Sequence, residues 1–265
     1  MSEKRNWTEN ELTLALSLYA VTPYSRISST NSQIIDLART IGRTPGAVSF
    51  KLGNFADLDK QIKEANKKGF SHGGKLDKKI WLKYTNAEGY IELSPLITDV
   101  LYLSEHNKFS TNYLGKVVEP NRTFTSSEQL VLQKVRTHQN FFRQTILANY
   151  NQVCAVSGCR LPGLLEAAHI LPWAEFEENR FDTSNGLALN ALLHKMYDKN
   201  LMGISGDGEI LIASAILKND ELGGFKDFFL QINHSKIDFK NVRSLPNKDF
   251  LSHRFEQFQE INRNL

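Results

Sequence analysis

Residues 154–198 read CAVSGCRLPGLLEAAHILPWAEFEENRFDTSNGLALNALLHKMYD, and the fold of the chain turns on this stretch. Its segment 164–171 is apolar except for Glu166 and His169, and it lies between Pro162 and Pro172. A short apolar run bounded by prolines predicts a half-buried strand, here ending in a histidine. Asn185-Gly186 supplies a turn. Beyond it, Leu187, Leu189, Leu192, Leu193 and Met196 predict a strand running into a helix. His194 and Asp198 are four residues apart, so on that helix they share a face.

These residue types suit the cutting of phosphodiester bonds. That reaction needs a base to activate water and a cation to offset charge on the phosphate and the leaving oxygen. A histidine can serve as the base near neutral pH. A second histidine with a carboxylate one helical turn away makes half a site for a divalent ion.

The stretch resembles the HNH nucleases, the ββα-metal class, and most closely the branch found in predicted restriction endonucleases. The CxxxxC start, the AAHI core, the NG turn and the LHxxxD ending carry the likeness together. Weaker similarity runs back through 136–143 and forward to 251–254. The resemblance implies that His169 is the general base and that Asn185 braces the loop that orients it. It implies that His194 is a metal ligand and that Asp198 falls where a further ligand stands. One position departs from the pattern. Colicin-type members carry a metal-binding histidine directly before the base, and here that residue is Ala168. Glu166, two residues earlier on the strand, is the candidate to replace it. The implied cofactor is a divalent metal, Mg2+ or Mn2+. Two cysteines, Cys154 and Cys159, fall short of the four-cysteine zinc knuckle that many members of the class use; the missing pair would fall near Asn190 and Leu193. Two reduced thiols are expected instead.

Composition sets outer limits. The 265 residues are enough for two modest domains. Hydrophobic content of 41% and charged content of 23% are ordinary for a globular protein. No run of eighteen apolar residues exists, so no membrane span is expected. The first residues, MSEKRNWTENEL, contain no apolar signal region, which predicts a cytoplasmic protein. A net charge of +3 permits nucleic-acid binding without demanding it.

Upstream, Thr8 and Glu11 form a capping-box pattern ahead of an apolar helix with Leu12, Leu14, Ala15, Leu18 and Tyr19 on its inner face. A second helix is predicted over 32–41, ended by Gly42, and a third over 45–55, capped by Thr44 with Pro45 in its first turn. Two helices about a glycine turn make a helix-turn-helix pattern. Val48, Leu52 and Phe55 would face the core, leaving Arg43, Ser49, Lys51 and Asn54 for DNA. The lysine-rich segment 60–83, which includes Lys75, suits a loop or wing that tracks phosphates. Arg136 and Arg143 are further candidates for phosphate contact.

The expected architecture is therefore α+β. A helix-turn-helix domain with a candidate wing spans 1–95, a linker region spans 96–125, and a ββα-metal nuclease domain spans 126–265, with a hairpin over 202–212 and a final helix over 248–261. The function this implies is a restriction-type endonuclease acting on double-stranded DNA. One active site per chain favours a homodimer for double-strand cutting. Two rivals share many of these features: a DNA-binding regulator whose nuclease motif is inactive, and a nonspecific nuclease or RNase.

Overall fold

Helix α1 (Glu9–Val21) begins at the predicted capping box: the Thr8 hydroxyl accepts from the Glu11 amide while the Glu11 carboxylate accepts from the Thr8 amide. From Glu11 to Val21 every residue is buried, so α1 has no solvent face. Its polar members are satisfied in place. Ser17 bonds the Leu14 carbonyl and the Tyr113 hydroxyl, and Thr22 bonds the Leu18 carbonyl. The amphipathic face expected from the sequence thus becomes a helix buried all round, which is the mark of a central element.

The computed structural model describes residues 5–64, 73–107, 109–111, 113–114 and 127–263. Around α1 lie α2 (Ser32–Thr40), α3 (Pro45–Leu58), the short α4 (Lys60–Glu64), α5 (Lys75–Lys83), α6 (Leu93–Asn107) and α7 (Ser127–Asn149). Thr44 caps α3 as its sequence predicts, accepting from the Ala47 amide. Among the described residues no β-ladder follows α3 to make a wing: the basic segment is helical in α4 and α5. Lys67, Lys68 and Gly69 of that segment lie outside the described residues.

Residues 96–107, expected in a linker, belong to α6 and help build the core. Leu93, Leu96, Ile97, Val100 and Leu103 are all buried, a three-to-four-residue recurrence that fits a packed helix. Residues 115–125 of the expected linker lie outside the described residues.

The chain then forms β1 (Leu165–His169), β2 (Gly186–Asn190) and α8 (Ala191–Asp198), followed by the hairpin β3 (Met202–Ile204) and β4 (Ile210–Ile212), α9 (Ser214–Leu217), α10 (Phe225–Ile232) and α11 (Lys248–Asn262). β1 pairs antiparallel with β2, Leu165 opposite Asn190 and His169 opposite Gly186, and β3 pairs antiparallel with β4. Helix α7 joins the two parts, packing on α1 and α6 at one end of the chain and on β1 and β2 at the other.

A second joint is Arg243, which is buried. Its guanidinium donates to the carbonyls of Tyr19, Ala20 and Thr22 at the end of α1 and lies over the Tyr19 ring. The Tyr19 carbonyl also accepts from the Thr22 amide, and carbonyls at a helix C-terminus are a favourable match for a buried cation. A residue from the C-terminal part therefore finishes the first helix, and a single hydrophobic cluster spans both parts.

Candidate active site

β1, β2 and α8 form the ββα unit that the sequence predicts. Asn190 makes the junction: its side chain accepts from the Leu193 amide and caps α8. Asn200, in the left-handed conformation at φ 53°, terminates the helix, with the Leu201 amide donating to the Met196 carbonyl. From α11, the Arg254 guanidinium donates to the carbonyls of Tyr197 and Asp198 and holds the last turn of α8.

His169 closes β1. Its ring stacks on Phe142 of α7 at 4.3 Å and 7° between planes, with Trp173 edge-on at 5.4 Å. The stack depends on Gly186 opposite. A Cβ there would stand 2.4 Å from Ile146 Cδ1 and 3.0 Å from Phe142 Cζ, so only glycine lets α7 approach this closely. Nε2 of His169 is 3.0 Å from the Arg180 carbonyl oxygen. A carbonyl only accepts, so Nε2 carries the proton and Nδ1 keeps its lone pair. Burial pushes the His169 pKa below the ordinary histidine value. The hydrogen bond to Arg180 opposes that shift, the charge of His194 adds to it, and that of Asp198 counters it. Burial thus favours the neutral imidazole of His169, which lies within electrostatic reach of His194 and Asp198.

Asn185 is 1% exposed and ties the ends of the loop between the strands. Its Oδ1 accepts from the Leu171 amide at 2.8 Å, and its Nδ2 donates to the Asn179 carbonyl at 3.0 Å. The neighbouring Arg180 donates from Nε to the Trp173 carbonyl and lies over the Trp173 ring. These bonds fix the carbonyl that orients His169.

On α8, His194 lies between two carboxylates. Glu166 Oε2 on β1 is 2.5 Å from Nδ1, and Asp198 Oδ2 on the same helix is 3.4 Å from Nε2. The side chains of Glu166 and Asp198 are 45% and 52% exposed, so the pair opens to solvent. Among the described residues, no three His, Cys, Asp or Glu side chains are arranged to hold a metal ion.

The other predicted contacts are distributed differently. Asn54 is 1% exposed and donates to Asp77, and Lys51 bridges both Asp77 oxygens at 2.7 and 2.9 Å. Arg43 is bound to Glu11 and to the carbonyls of Arg5 and Asn6. These three do not face solvent as DNA readers. They satisfy the buried carboxylates Glu11 and Asp77, which the sequence did not pair with them. Ser49 is half-buried, while Lys75 and Arg136 are exposed. Arg143 donates to the Leu165 carbonyl at 2.6 Å and so anchors α7 to β1.

Cys154 and Cys159 are free thiols. Where the second cysteine pair of a knuckle would stand, the Asn190 amide points at Cys154 Sγ, 3.3 Å away, and the Asn190 side chain donates to Ser157. Hydrogen bonds therefore hold the start of the unit. Sequence reasoning missed Gly186 as the packing partner of Phe142, Arg180 as the carbonyl that sets the His169 tautomer, and Arg254 as the clamp on α8. The Asn185-Gly186 pair and the weaker similarity over 251–254, which contains Arg254, were the signals on offer.

Among the described residues, no helix is long and apolar enough to cross a membrane. No curated protein matches the chain. Residues 154–205 match the family model described as HNH endonuclease, a span that opens at Cys154 and closes at the end of β3. That match identifies residues 154–205 as an HNH endonuclease domain.

Proposed function

We propose that the protein is a metal-dependent endonuclease that hydrolyses phosphodiester bonds in double-stranded DNA, in a restriction-type defence role. The observation that carries the reading is His169, held neutral by burial with Nε2–H tied to the Arg180 carbonyl, so that Nδ1 is the basic nitrogen. Nδ1 takes a proton from water as the water oxygen bonds to phosphorus and the bond to the 3′ oxygen breaks. Asn185 and Arg180 keep the ring in the attacking orientation through the loop they brace.

His194 and Asp198 would hold the cation. An imidazole nitrogen on a part-buried ring and an exposed carboxylate oxygen suit a divalent ion that keeps most of its water. When bound, such an ion offsets the negative charge that builds on the phosphate and the departing 3′ oxygen. Mg2+ satisfies this need, and Mn2+, which accepts nitrogen more readily, should serve equally or better.

The remaining basic surface supports DNA binding through phosphates rather than through α3. Lys75 and Lys78 are exposed on α5, and Arg136 is exposed on α7. One site per chain favours two copies acting on one duplex. Incubating the protein with plasmid DNA and Mg2+ or Mn2+, with a chelator control, tests the reading. Discrete metal-dependent fragments support it, a smear favours a nonspecific nuclease, and intact plasmid in every metal rejects it.

A further inference from the structure

We propose that Glu166 is a positioning residue: its carboxylate accepts the Nδ1 proton of His194 and so presents Nε2, beside Asp198, as the nitrogen that binds the cation. The inference deepens the nuclease reading and rests on it for the identity of the ion.

The two carboxylates meet the imidazole differently. Glu166 reaches across from β1 and makes a hydrogen bond of 2.5 Å to Nδ1. Asp198, one turn further along α8, comes no closer than 3.4 Å to Nε2, and Nε2 makes no hydrogen bond among the described residues. The in-plane directions of the two ring nitrogens diverge. An oxygen bonded to Nδ1 therefore cannot also share an ion with Nε2, so Glu166 is not a third ligand in this arrangement. A neutral imidazole carries one proton, and the carboxylate at Nδ1 places it there. The Nε2 lone pair is then directed toward the same solvent-exposed space as Asp198. A carboxylate behind a metal-binding histidine is an established means of fixing ring orientation and raising ligand basicity.

The strand register provides for this role. Glu166 lies opposite Leu189 on β2, and β1 and β2 both pack on α8, so the carboxylate is aimed at the helix by the sheet itself. The sequence has Ala168 where related proteins carry a ligand, and Ala168 is fully buried. The site is thus left with two ligands, and a correctly presented Nε2 matters more with two than with three.

The test compares Glu166→Gln with Glu166→Ala. A glutamine carbonyl still accepts from Nδ1–H, whereas an amide is a poor substitute for a ligating carboxylate. Mn2+ affinity, measured from the electron paramagnetic resonance of the free ion, should stay within about threefold of wild type in Glu166→Gln. It should weaken about 10–100-fold in Glu166→Ala, the usual cost of losing such a partner. In metal-free protein in mildly alkaline buffer, the 15N shifts of His194 should report Nδ1–H in wild type and Glu166→Gln and a mixture of tautomers in Glu166→Ala. Equal losses in the two variants would make Glu166 a ligand and overturn the proposal. An Nε2–H tautomer in wild type would also overturn it, and that result is available even if Mn2+ does not bind. Plasmid cleavage by wild type, scored separately, shows whether the nuclease reading itself stands.

Discussion

The sequence presents α3 and the ββα unit in similar terms: a capped helix, a tight turn and a set of polar side chains at helical or strand spacing. In the structure they part company. Asn54, Lys51 and Arg43 turn inward to Asp77 and Glu11, carboxylates that arrive from α5 and α1. Glu166, His194 and Asp198 keep their polar atoms together, within electrostatic reach of His169. The difference lies in what each side chain meets. Two buried carboxylates are costly unless paired, so they claim the nearest cations and amides. In the ββα unit His169 is oriented by a backbone carbonyl, which holds the ring without neutralising it. Glu11 shows the strength of the first kind of pairing. Burial alone would raise its pKa, yet the Arg43 hydrogen bonds, the Thr8 amide and the charges of Arg43 and Arg5 hold it below the ordinary carboxylate value.

The largest expected effect tests the catalytic side of the comparison. His169→Ala should slow single-turnover cleavage by roughly two to four decades, with DNA affinity little changed in a binding titration. A variant that cuts at the wild-type rate would break the assignment of His169.

On the other side, Lys51→Ala should leave Asp77 buried without its cation and lower the unfolding free energy by about 3 kcal/mol in a urea titration. DNA affinity measured well below the unfolding midpoint should be unchanged. A loss of affinity at undiminished stability would return α3 to the role of reader.

Gly186→Ala sharpens the comparison from within the ββα unit. The added Cβ overlaps Ile146 and should cost about 1–3 kcal/mol of stability. Because Phe142 must also yield, cleavage should fall even where the variant is fully folded. Equal cleavage rates for folded variant and wild type would separate the stack from catalysis.

The pH profile provides a smaller test. The folded pKa of His169 is lowered, so the unfolded chain binds more protons as pH falls below the ordinary histidine value. His169 thus contributes stability that is complete above about pH 6.5 and is lost as pH falls toward the folded pKa. Cleavage under single-turnover conditions should rise with pH and level off, with an inflection below about 6.5. An inflection above that value would mean that His169 is stabilised as the cation. Smallest of all, replacing Lys75 and Lys78 by alanine should reduce the slope of log affinity against log salt by up to about 0.9 per lost phosphate contact. An unchanged slope would place the phosphate-binding surface elsewhere.

Much of the architecture was legible from local signals. Thr8, Glu11, Thr44 and Pro45 define helix starts through bonds within four residues, and the 202–212 hairpin follows from alternating apolar residues around Gly206-Asp207-Gly208. The spacing of His169, Asn185, His194 and Asp198 carried the ββα unit because that unit is built from one short, nearly continuous stretch. Helix α6 was not legible because it lies in a part of the chain with weak helix punctuation, and only packing on α1 reveals its apolar face.

The sequence alone determined the helix starts at Thr8 and Thr44, the ββα stretch and the chemistry available at the motif. Tertiary structure decided which polar groups remain usable. Asn54 and Glu166 are both polar residues with apolar neighbours, and nothing local distinguishes them. Asp77, 23 residues away, takes Asn54 out of solvent, and His194, 28 residues away, draws Glu166 into the site. Partners at that separation are brought together by packing, and the free energy of a charge is set by what lies within a few ångströms of it.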